Sequence, residues 1–232
     1  MTSLALYDDE FGTIAVHVNS RAKRLLLRIK SDQTITITIP HKRHLRLAEQ
    51  LLNESRDSLR ERQQPPITLQ PNQMVGNQLL VFQSRAGASI RTYNRGDTIT
   101  VRYPLELSWE DQAVQQAAKN AAAKALREQA KTYLPTRLRV LADEWGITCS
   151  GVSINSATTR WGSCTNDGRI HLSLWLMQLP KELVDYVLCH ELCHILQHNH
   201  SSGFWQEVST RMPDYKERRK QLKAYSTHWQ TV

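Results

Sequence analysis

The sequence predicts an α+β fold, in which a strand-rich region over residues 1–107 precedes a more helical unit over residues 108–232. Three observations predict it. Short alternating or β-branched segments fill the first part of the chain, a long alanine-rich segment follows them, and a helical segment with ionisable side chains on its apolar side lies near the C-terminus. A chain of 232 residues is long enough for one large or two small globular units.

Six segments of the first region have the pattern of β-strands. Turn-forming residues separate them, among them Ser31-Asp32 and Asn94-Arg95-Gly96. A helical periodicity interrupts the strands at residues 45–62 and ends before Pro65-Pro66. The predicted strands are residues 13–18, 25–29, 34–39, 79–82, 88–93 and 98–103.

A long helix is predicted to open the second unit. Ser108-Trp109-Glu110-Asp111 has the pattern of a capping box, and the alanine-rich sequence after it favours a helix to about Trp145. Gly146 is expected to end this helix, and Pro135 is expected to bend or break it. No internal repeat is visible.

Residues 180–197 are predicted to form a helix that carries the most informative motif of the chain. Within it, His190-Glu191-Leu192-Cys193-His194 places two histidines one turn apart on one face, where both can bind one metal ion. Glu191 lies beside them, as in the H-E-x-x-H pattern of zinc peptidases. The alternative is two core histidines and a glutamate in a salt bridge, but it needs three separate partners where one metal site suffices.

A catalytic zinc site of this kind needs a third protein ligand and leaves the fourth position to water. His200 is the predicted third ligand. It can reach the ion only if the chain turns sharply after His194, and Asn199 and Gly203 are expected to permit this turn because both residue types tolerate the left-handed conformation.

Three other residues are candidates for the third ligand. His198 would lie about 12 Å along a continuing helix from His190, too far to share an ion, and is expected to be solvated at the helix end. Glu207 remains an alternative if a second helix brings it back over the first. Glu217, further along the chain, is the third candidate.

Residues 169–176 have the period-2 pattern of a strand with one buried face. Apolar residues at even-numbered positions alternate with Arg169, His171, Ser173 and Trp175. The sequence therefore predicts a strand across the whole segment.

Several stretches of the second unit carry a resemblance to a known family. They are T-R-W-G-S-C at 159–164, G-R-I-H-L-S at 168–173, L-P at 179–180, H-E-L-C-H at 190–194 and N-H-S-S-G-F-W at 199–205. In these stretches the chain resembles the YgjP-like zinc metallopeptidases, relatives of the SprT-like proteins. The resemblance is dense over residues 154–225 and looser in the N-terminal half, including residues 21–28.

The resemblance implies a zincin-like catalytic unit in which His200 is the third metal ligand. It also implies that the strand over residues 169–176 forms the edge of a sheet above the metal, where an extended substrate pairs with it. Arg160 and Trp161 are expected to line the same cleft, although an Arg-Trp stack that seats the loop is an equal alternative. His171 and Ser173 are the other predicted substrate-binding residues; Ser173 stands where the family often has Asn, and Cys193 where it more often has Ala.

The predicted function is zinc-dependent hydrolysis of peptide bonds in peptide or protein substrates. One zinc ion would polarise the scissile carbonyl and lower the pKa of water towards about 7. Glu191 would act as general base and then as general acid. His171, Arg160 and Tyr215 are candidate donors to the oxyanion, and the sequence does not choose among them.

The basic composition suggests an alternative function. The formal net charge is +8, and eight Lys or Arg residues against one acidic residue occur within residues 21–46. A second basic cluster occupies residues 211–223, and such patches can follow a phosphate backbone. Two alternative functions therefore remain: a nucleic-acid-associated protein with a structural metal site, and an inactive peptidase-like scaffold. The simplest explanation of the charge is a solvated cationic face.

Composition and cysteine usage suggest a cytoplasmic protein. The chain has no N-terminal apolar stretch after a basic start and no apolar run long enough to span a membrane. Cys149, Cys164, Cys189 and Cys193 are expected to be small buried thiols. The sequence leaves the oligomeric state open.

Overall fold

The computed structural model describes residues 2–30, 34–62, 67–227 and 229, and the chain divides into two compact units, Met1–Ile67 and Thr68–Val232. Within the described residues the architecture is mixed α+β, as the sequence predicted, and it consists of three small sheets and six α-helices. Residues 68–107 belong to the second unit, so the compact units divide before the boundary expected near Leu107. The start of the catalytic domain at residue 108 stays a prediction.

The first unit is a four-stranded sheet with two short helices. Its core is formed by inward-facing residues of the sheet, such as Ile14, Val16 and Ile37, with Leu52 from a helix. The predicted helix over residues 45–62 is interrupted at Ser55, and the turn at 31–32 and Pro65-Pro66 lie outside the described residues. The elements are β1 Thr2–Asp8, β2 Gly12–Val18, β3 Leu26–Ile29, β4 Ile35–Ile39, α1 Leu45–Glu54 and α2 Arg56–Arg62, with strand order β1-β2-β4-β3.

The second unit begins with a sheet of the same topology. The outer pairs of both sheets are antiparallel and the central pair is parallel, and a helical segment follows each sheet. The structure thus contains a topological repeat that the sequence did not reveal. At Gly96, φ is +56°, a left-handed conformation that suits glycine in the predicted turn. The strands are β5 Met74–Val75, β6 Gln78–Ser84, β7 Arg91–Arg95 and β8 Thr98–Tyr103, in the order β5-β6-β8-β7.

The long helix α3, Gln112–Trp145, contains Pro135 without interruption, so the predicted break does not occur. It ends as predicted at Gly146, where φ is +63° and the backbone N–H bonds to the last turn. The predicted capping box is only partly formed, because the Asp111 carboxylate accepts a hydrogen bond from the Ser108 N–H at 2.5 Å but the helix starts after Asp111.

A three-stranded sheet follows α3 and corrects the prediction for residues 169–176. Only Arg169–Ser173 forms a strand, β11, and Leu174–Gln178 is a 3-10 helix capped by the Ser173 hydroxyl, which accepts from the Trp175 N–H. β11 is the central strand, not the edge, because β9, Gly151–Asn155, pairs with it in parallel and β10, Gly162–Cys164, pairs with it antiparallel.

Three helices complete the second unit. They are α4 Lys181–Leu196, α5 Ser202–Arg211 and α6 Tyr215–Leu222. The inner faces of α3, α4 and the two sheets share one core, to which Leu126, Leu172, Leu188 and Phe204 contribute fully buried side chains. Among the described residues no helix combines the length and the apolar character needed to cross a membrane.

Candidate metal centre

Helix α4 places the two histidines of the H-E-x-x-H motif on one face. The helix starts after Pro180 and ends at Leu196, close to the predicted limits. Its buried face packs into the core, with Leu188 and Leu192 fully buried, while His190 and His194 are half-buried at the border of that face. The apolar arc therefore anchors the helix, and the motif lies where the core meets the surface.

The chain leaves the helix by an extended residue, Gln197, with φ −141° and ψ 103°. The prediction that Asn199 and Gly203 adopt left-handed conformations is wrong, since neither has a positive φ. Asn199 instead helps the turn through its side chain, whose oxygen accepts a hydrogen bond from the Ser201 N–H at 3.2 Å. The resulting reversal brings the exposed His200 back to α4.

The three histidines converge through their Nε2 atoms. The Nε2 atom of His190 is 3.2 Å from that of His194 and 3.0 Å from that of His200. The possible ligand atoms of the three residues all lie within 4.8 Å of one another. Two nitrogens bound tetrahedrally to one zinc ion, each at about 2.0–2.1 Å, are separated by about 3.3 Å, and the two distances from His190 are close to this value.

Phe204 is fully buried, and its ring packs against the rings of all three histidines. Its ring is stacked on that of His194, with centroids 4.5 Å apart, and lies edge-on to His190 at 4.9 Å and to His200 at 4.8 Å. Because one rigid ring contacts all three imidazoles, it fixes their relative positions.

The surroundings of His190 and His194 favour the neutral form of both rings. Burial lowers the pKa of His190 to about 3, and the neighbouring His194 and His200 add to this effect. Burial also lowers the pKa of His194. The hydrogen bond between its Nδ1 and the Gln197 carbonyl, at 3.2 Å, acts in the opposite direction and raises this pKa. The neutral imidazole is the form that binds a metal ion, so the lowered values favour ligation at neutral pH.

Glu191 is buried against the neighbouring sheet. Only 5% of its surface is exposed, and a Cβ built at Gly162 of β10 would lie 2.7 Å from its Oε1 and 2.8 Å from its Cγ. Burial raises the pKa of Glu191 to about 8, and the charge of Arg160 opposes this shift. The glutamate therefore reaches its position because Gly162 has no side chain.

Two buried polar atoms of the motif have no hydrogen-bonding partner in the described part of the protein: His190 Nδ1 and Glu191 Oε2. An orphaned carboxyl oxygen buried beside three imidazoles is costly in a site without a ligand. The donor set and the orphaned oxygen both fit a metal ion with a hydrogen-bonding ligand. His194 has the expected backbone acceptor for its second nitrogen, and His190 lacks one among these residues.

The structure brings Arg160 and Trp161 to the same region, in the loop before β10. Arg160 is exposed and near enough to Glu191 for its charge to influence that carboxyl. Trp161 is half-buried against the core, and its carbonyl accepts from the Ser173 N–H at 2.9 Å. Their predicted contact with substrate stays a prediction.

His171 and Ser173 are not brought to the histidine cluster. His171 pairs with Ser163 of β10, so it lies on the sheet face opposite to Gly162 and Glu191. Its Nδ1 is 2.6 Å from the hydroxyl of Ser153. Ser173 is 1% exposed and donates to the Ala157 carbonyl at 2.9 Å, an internal bond.

The alternative ligands also lie outside the cluster. The Glu207 carboxylate pairs with the Arg211 guanidinium at 2.5 Å. Among the described residues, the group able to share one ion contains His190, His194 and His200 and does not include His198, Glu207 or Glu217. Gly162 and Phe204 were not predicted as parts of the site. A glycine inside a strand often marks a close approach of two segments, and this signal would have identified Gly162 had β10 been predicted.

A cavity of about 690 Å³ lies away from this cluster, near the start of α4. Lys181 and Val184 of α4 line it together with Gln129 of α3 and Gln78 of β6. The histidine cluster and Glu191 are therefore not part of this cavity.

Three convergent histidines beside a buried glutamate define a site that could bind a metal ion. A site of this composition is typical of metal-dependent hydrolases. The chain belongs to the YgjP-like family, whose metallopeptidase domain model matches residues 23–225. Membership of a metallopeptidase family implies a metal ion and supports a peptidase function.

Two solved structures share similarity with part of the chain. The metallopeptidase zymogen abylysin of Pyrococcus abyssi is 27% identical over 39% of this chain and 92% of its own, with a TM-score of 0.37. The metallopeptidase zymogen jannalysin of Methanocaldococcus jannaschii is 18% identical over 39% of this chain and 94% of its own, with a TM-score of 0.36. Comparison with curated proteins gave no match.

Proposed function

We propose that this chain is a zinc-dependent peptidase of the H-E-x-x-H type, in which His190, His194 and His200 hold one zinc ion. The observation that carries the proposal is the convergence of three Nε2 atoms, 3.0 and 3.2 Å from the central one, next to a buried glutamate with an orphaned oxygen. Neutral nitrogen ligands in a tetrahedral arrangement suit zinc.

The ligand count supports a catalytic rather than a structural site. A structural zinc site is closed by four protein ligands, whereas a catalytic site has three and an open position. In the part of the chain that the structure describes, no Cys, Asp or Glu joins the three histidines. His200 is exposed, which leaves the cluster accessible from solvent.

When bound, the ion supplies Lewis-acid chemistry, which polarises a carbonyl and lowers the pKa of water. In its ionised form Glu191 accepts the proton of the attacking water on its unpartnered Oε2 and donates it to the leaving amine. Arg160, whose charge acts on Glu191, is the proposed donor to the substrate carbonyl or carboxylate. The apolar packing around Glu191 excludes bulk water from the carboxyl.

The substrate strand is proposed to pair with β10 instead of β11. β11 is already bonded on both sides, whereas in the described structure β10 has a partner on one side only. Gly162 of β10 touches Glu191, so a peptide added along the free edge of β10 would pass close to the proton-transfer group.

The test combines metal content with peptide hydrolysis. Protein purified without added metal should contain one zinc per chain, and chelation should abolish cleavage of a peptide library until zinc is restored. Glu191→Gln should retain zinc and lose about 10²–10⁴-fold in kcat. Full activity in Glu191→Gln, or cleavage that survives complete removal of zinc, would refute the proposal.

A further inference from the structure

A second cavity lies next to the histidine cluster. It has a volume of about 390 Å³. Trp205 connects the two sites, because its ring centroid is 5.7 Å from that of His200 and its side chain also lines the cavity. The lining residues are Trp205, Tyr215, Lys216, Arg219, Lys220 and Lys223.

The cations of this cavity differ from the other cations nearby. Arg211 pairs with Glu207 at 2.5 Å, and Arg218 pairs with Asp214 at 2.7 Å. These guanidinium groups have internal partners and a structural role.

Within the described structure, the four remaining cations of this region have no such carboxylate partner. Lys216, Arg219, Lys220 and Lys223 are exposed, and among the described residues no carboxylate lies within salt-bridge distance of them. All four line the one cavity, where their charges repel each other and raise the local positive potential. Such a concave cationic site is complementary to anions.

We propose that this cavity is a subsite for acidic side chains of the substrate peptide, an inference that rests on the proposed peptidase function. An extended peptide advances about 3.3 Å per residue, so a carboxylate in the cavity belongs to a residue about two to four positions from the scissile bond. The cavity would thus select substrates with Asp or Glu on one side of that bond.

The aromatic contacts favour a peptide over a nucleic acid. Single-stranded nucleic acid is held on open aromatic faces that stack with bases. The ring of Trp205 is already stacked on Tyr215, with centroids 5.5 Å apart and planes 18° apart, and the Arg219 guanidinium lies 4.6 Å from its centroid. These contacts occupy the ring and orient the Arg219 charge.

The first test measures binding without cleavage. Fluorescence anisotropy with a labelled hexaglutamate peptide should show saturable binding to the full-length protein, with or without a chelator. Lys216→Ala/Lys220→Ala should weaken this binding at least about tenfold. The matched control is Lys124→Ala/Arg127→Ala, two exposed cations of α3 outside the cavity, which should change it less than about twofold.

Several results would overturn the inference. They are no binding of hexaglutamate, equal losses in the two double variants, or binding that disappears on chelation and therefore belongs to the metal. Tighter binding of a twelve-nucleotide oligothymidylate than of hexaglutamate, with the same sensitivity to Lys216 and Lys220, would assign the surface to nucleic acid instead.

A second test measures specificity. Peptide pairs that differ only in Glu versus Gln two to four residues from the cleaved bond should show a higher kcat/KM for the Glu member. This ratio should fall towards one in Lys216→Ala/Lys220→Ala and persist in the control. Failure of all peptide cleavage would count against the peptidase proposal alone, because hexaglutamate binding is read independently.

Discussion

The carboxyl group of Glu191 lies against the Cα atom of Gly162, at a distance that leaves no room for a side chain. A Cβ at residue 162 would come within 2.7 Å of Glu191 Oε1 and 2.9 Å of its Cδ. A glycine in a short strand of the sheet thus determines where the glutamate of the adjacent helix can be.

Gly162→Ala should therefore reduce peptide hydrolysis with little effect on zinc content. The methyl group displaces the Glu191 carboxyl, and a displacement of about 1 Å in a catalytic group can cost about 100-fold in rate. The measurement is kcat on the most rapidly cleaved library peptide, together with zinc per chain.

Gly151→Ala is the matched control for this prediction. Gly151 lies in the same sheet, and a Cβ there would meet only the movable end of the Arg169 side chain, at 3.3 Å. If the two alanine variants lose activity equally, the contact between Gly162 and Glu191 is not the cause.

Replacement of the third histidine should release the metal. In His200→Ala one of three ligands is lost, and zinc affinity should fall by at least about 100-fold. His198→Ala should bind zinc like the unchanged protein, because His198 lies outside the cluster although it is two residues away. Competition with a zinc-binding dye measures both affinities; similar losses in the two variants would exclude His200 as a specific ligand.

Truncation of the Phe204 side chain, whose ring packs against the three histidines, should reduce both the stability of the protein and its affinity for zinc. Phe204 is fully buried, and Phe204→Ala should lower the free energy of unfolding by about 3–5 kcal/mol. Phe204→Leu keeps most of the volume but loses the flat contact with the imidazoles, so it should weaken zinc binding with a smaller loss of stability. Thermal unfolding and dye competition separate the two effects, and unchanged zinc affinity in Phe204→Leu would contradict the supporting role.

The first unit should lose stability in acid through Asp8. Its carboxylate receives hydrogen bonds from Arg56, which lower its pKa below the usual 3.8, while burial acts in the opposite direction. Because the folded pKa is lower than the unfolded one, the stabilisation is present above about pH 4 and is lost as the pH falls through the folded pKa.

Asp8→Asn should accordingly lower the melting temperature at pH 7 by a few degrees, and this difference should shrink as the pH falls below about 4. Calorimetry of the full chain from pH 3 to pH 7 measures it. A difference that is constant across this range would show that the charge of Asp8 is not responsible. Asp9→Asn, next in the chain, is the control, since the bonds that Arg56 makes to acidic residues in the described structure involve Asp8 and Glu10 and not Asp9.

Much of the fold was predictable because it depends on local patterns. The six predicted strands and α3 lie near the expected positions, and Gly146 ends α3 as expected. Pro135 did not break α3, because the surrounding helix and its buried face outweigh the loss of one backbone hydrogen bond. The split at Ser55 and the strands β1, β5, β9 and β10 were missed.

The candidate site was predicted in part for a similar reason. A spacing of four residues on a helix fixes the relation of His190 to His194 whatever surrounds them. The position of β11 in its sheet depends on which strands pair with it, and a period-2 pattern contains no such information, so the expected edge strand became a central one. The same pairing turned His171 away from Glu191.

The sequence by itself determined the helix, its two histidines and the glutamate between them, because these relations are set by the helical repeat over five residues. Only the tertiary structure decided that His200 returns to the cluster, that Phe204 supports all three rings and that Gly162 makes room for Glu191. Those contacts join segments far apart in the chain or across a turn, and packing in three dimensions selects them, not any pattern within one segment.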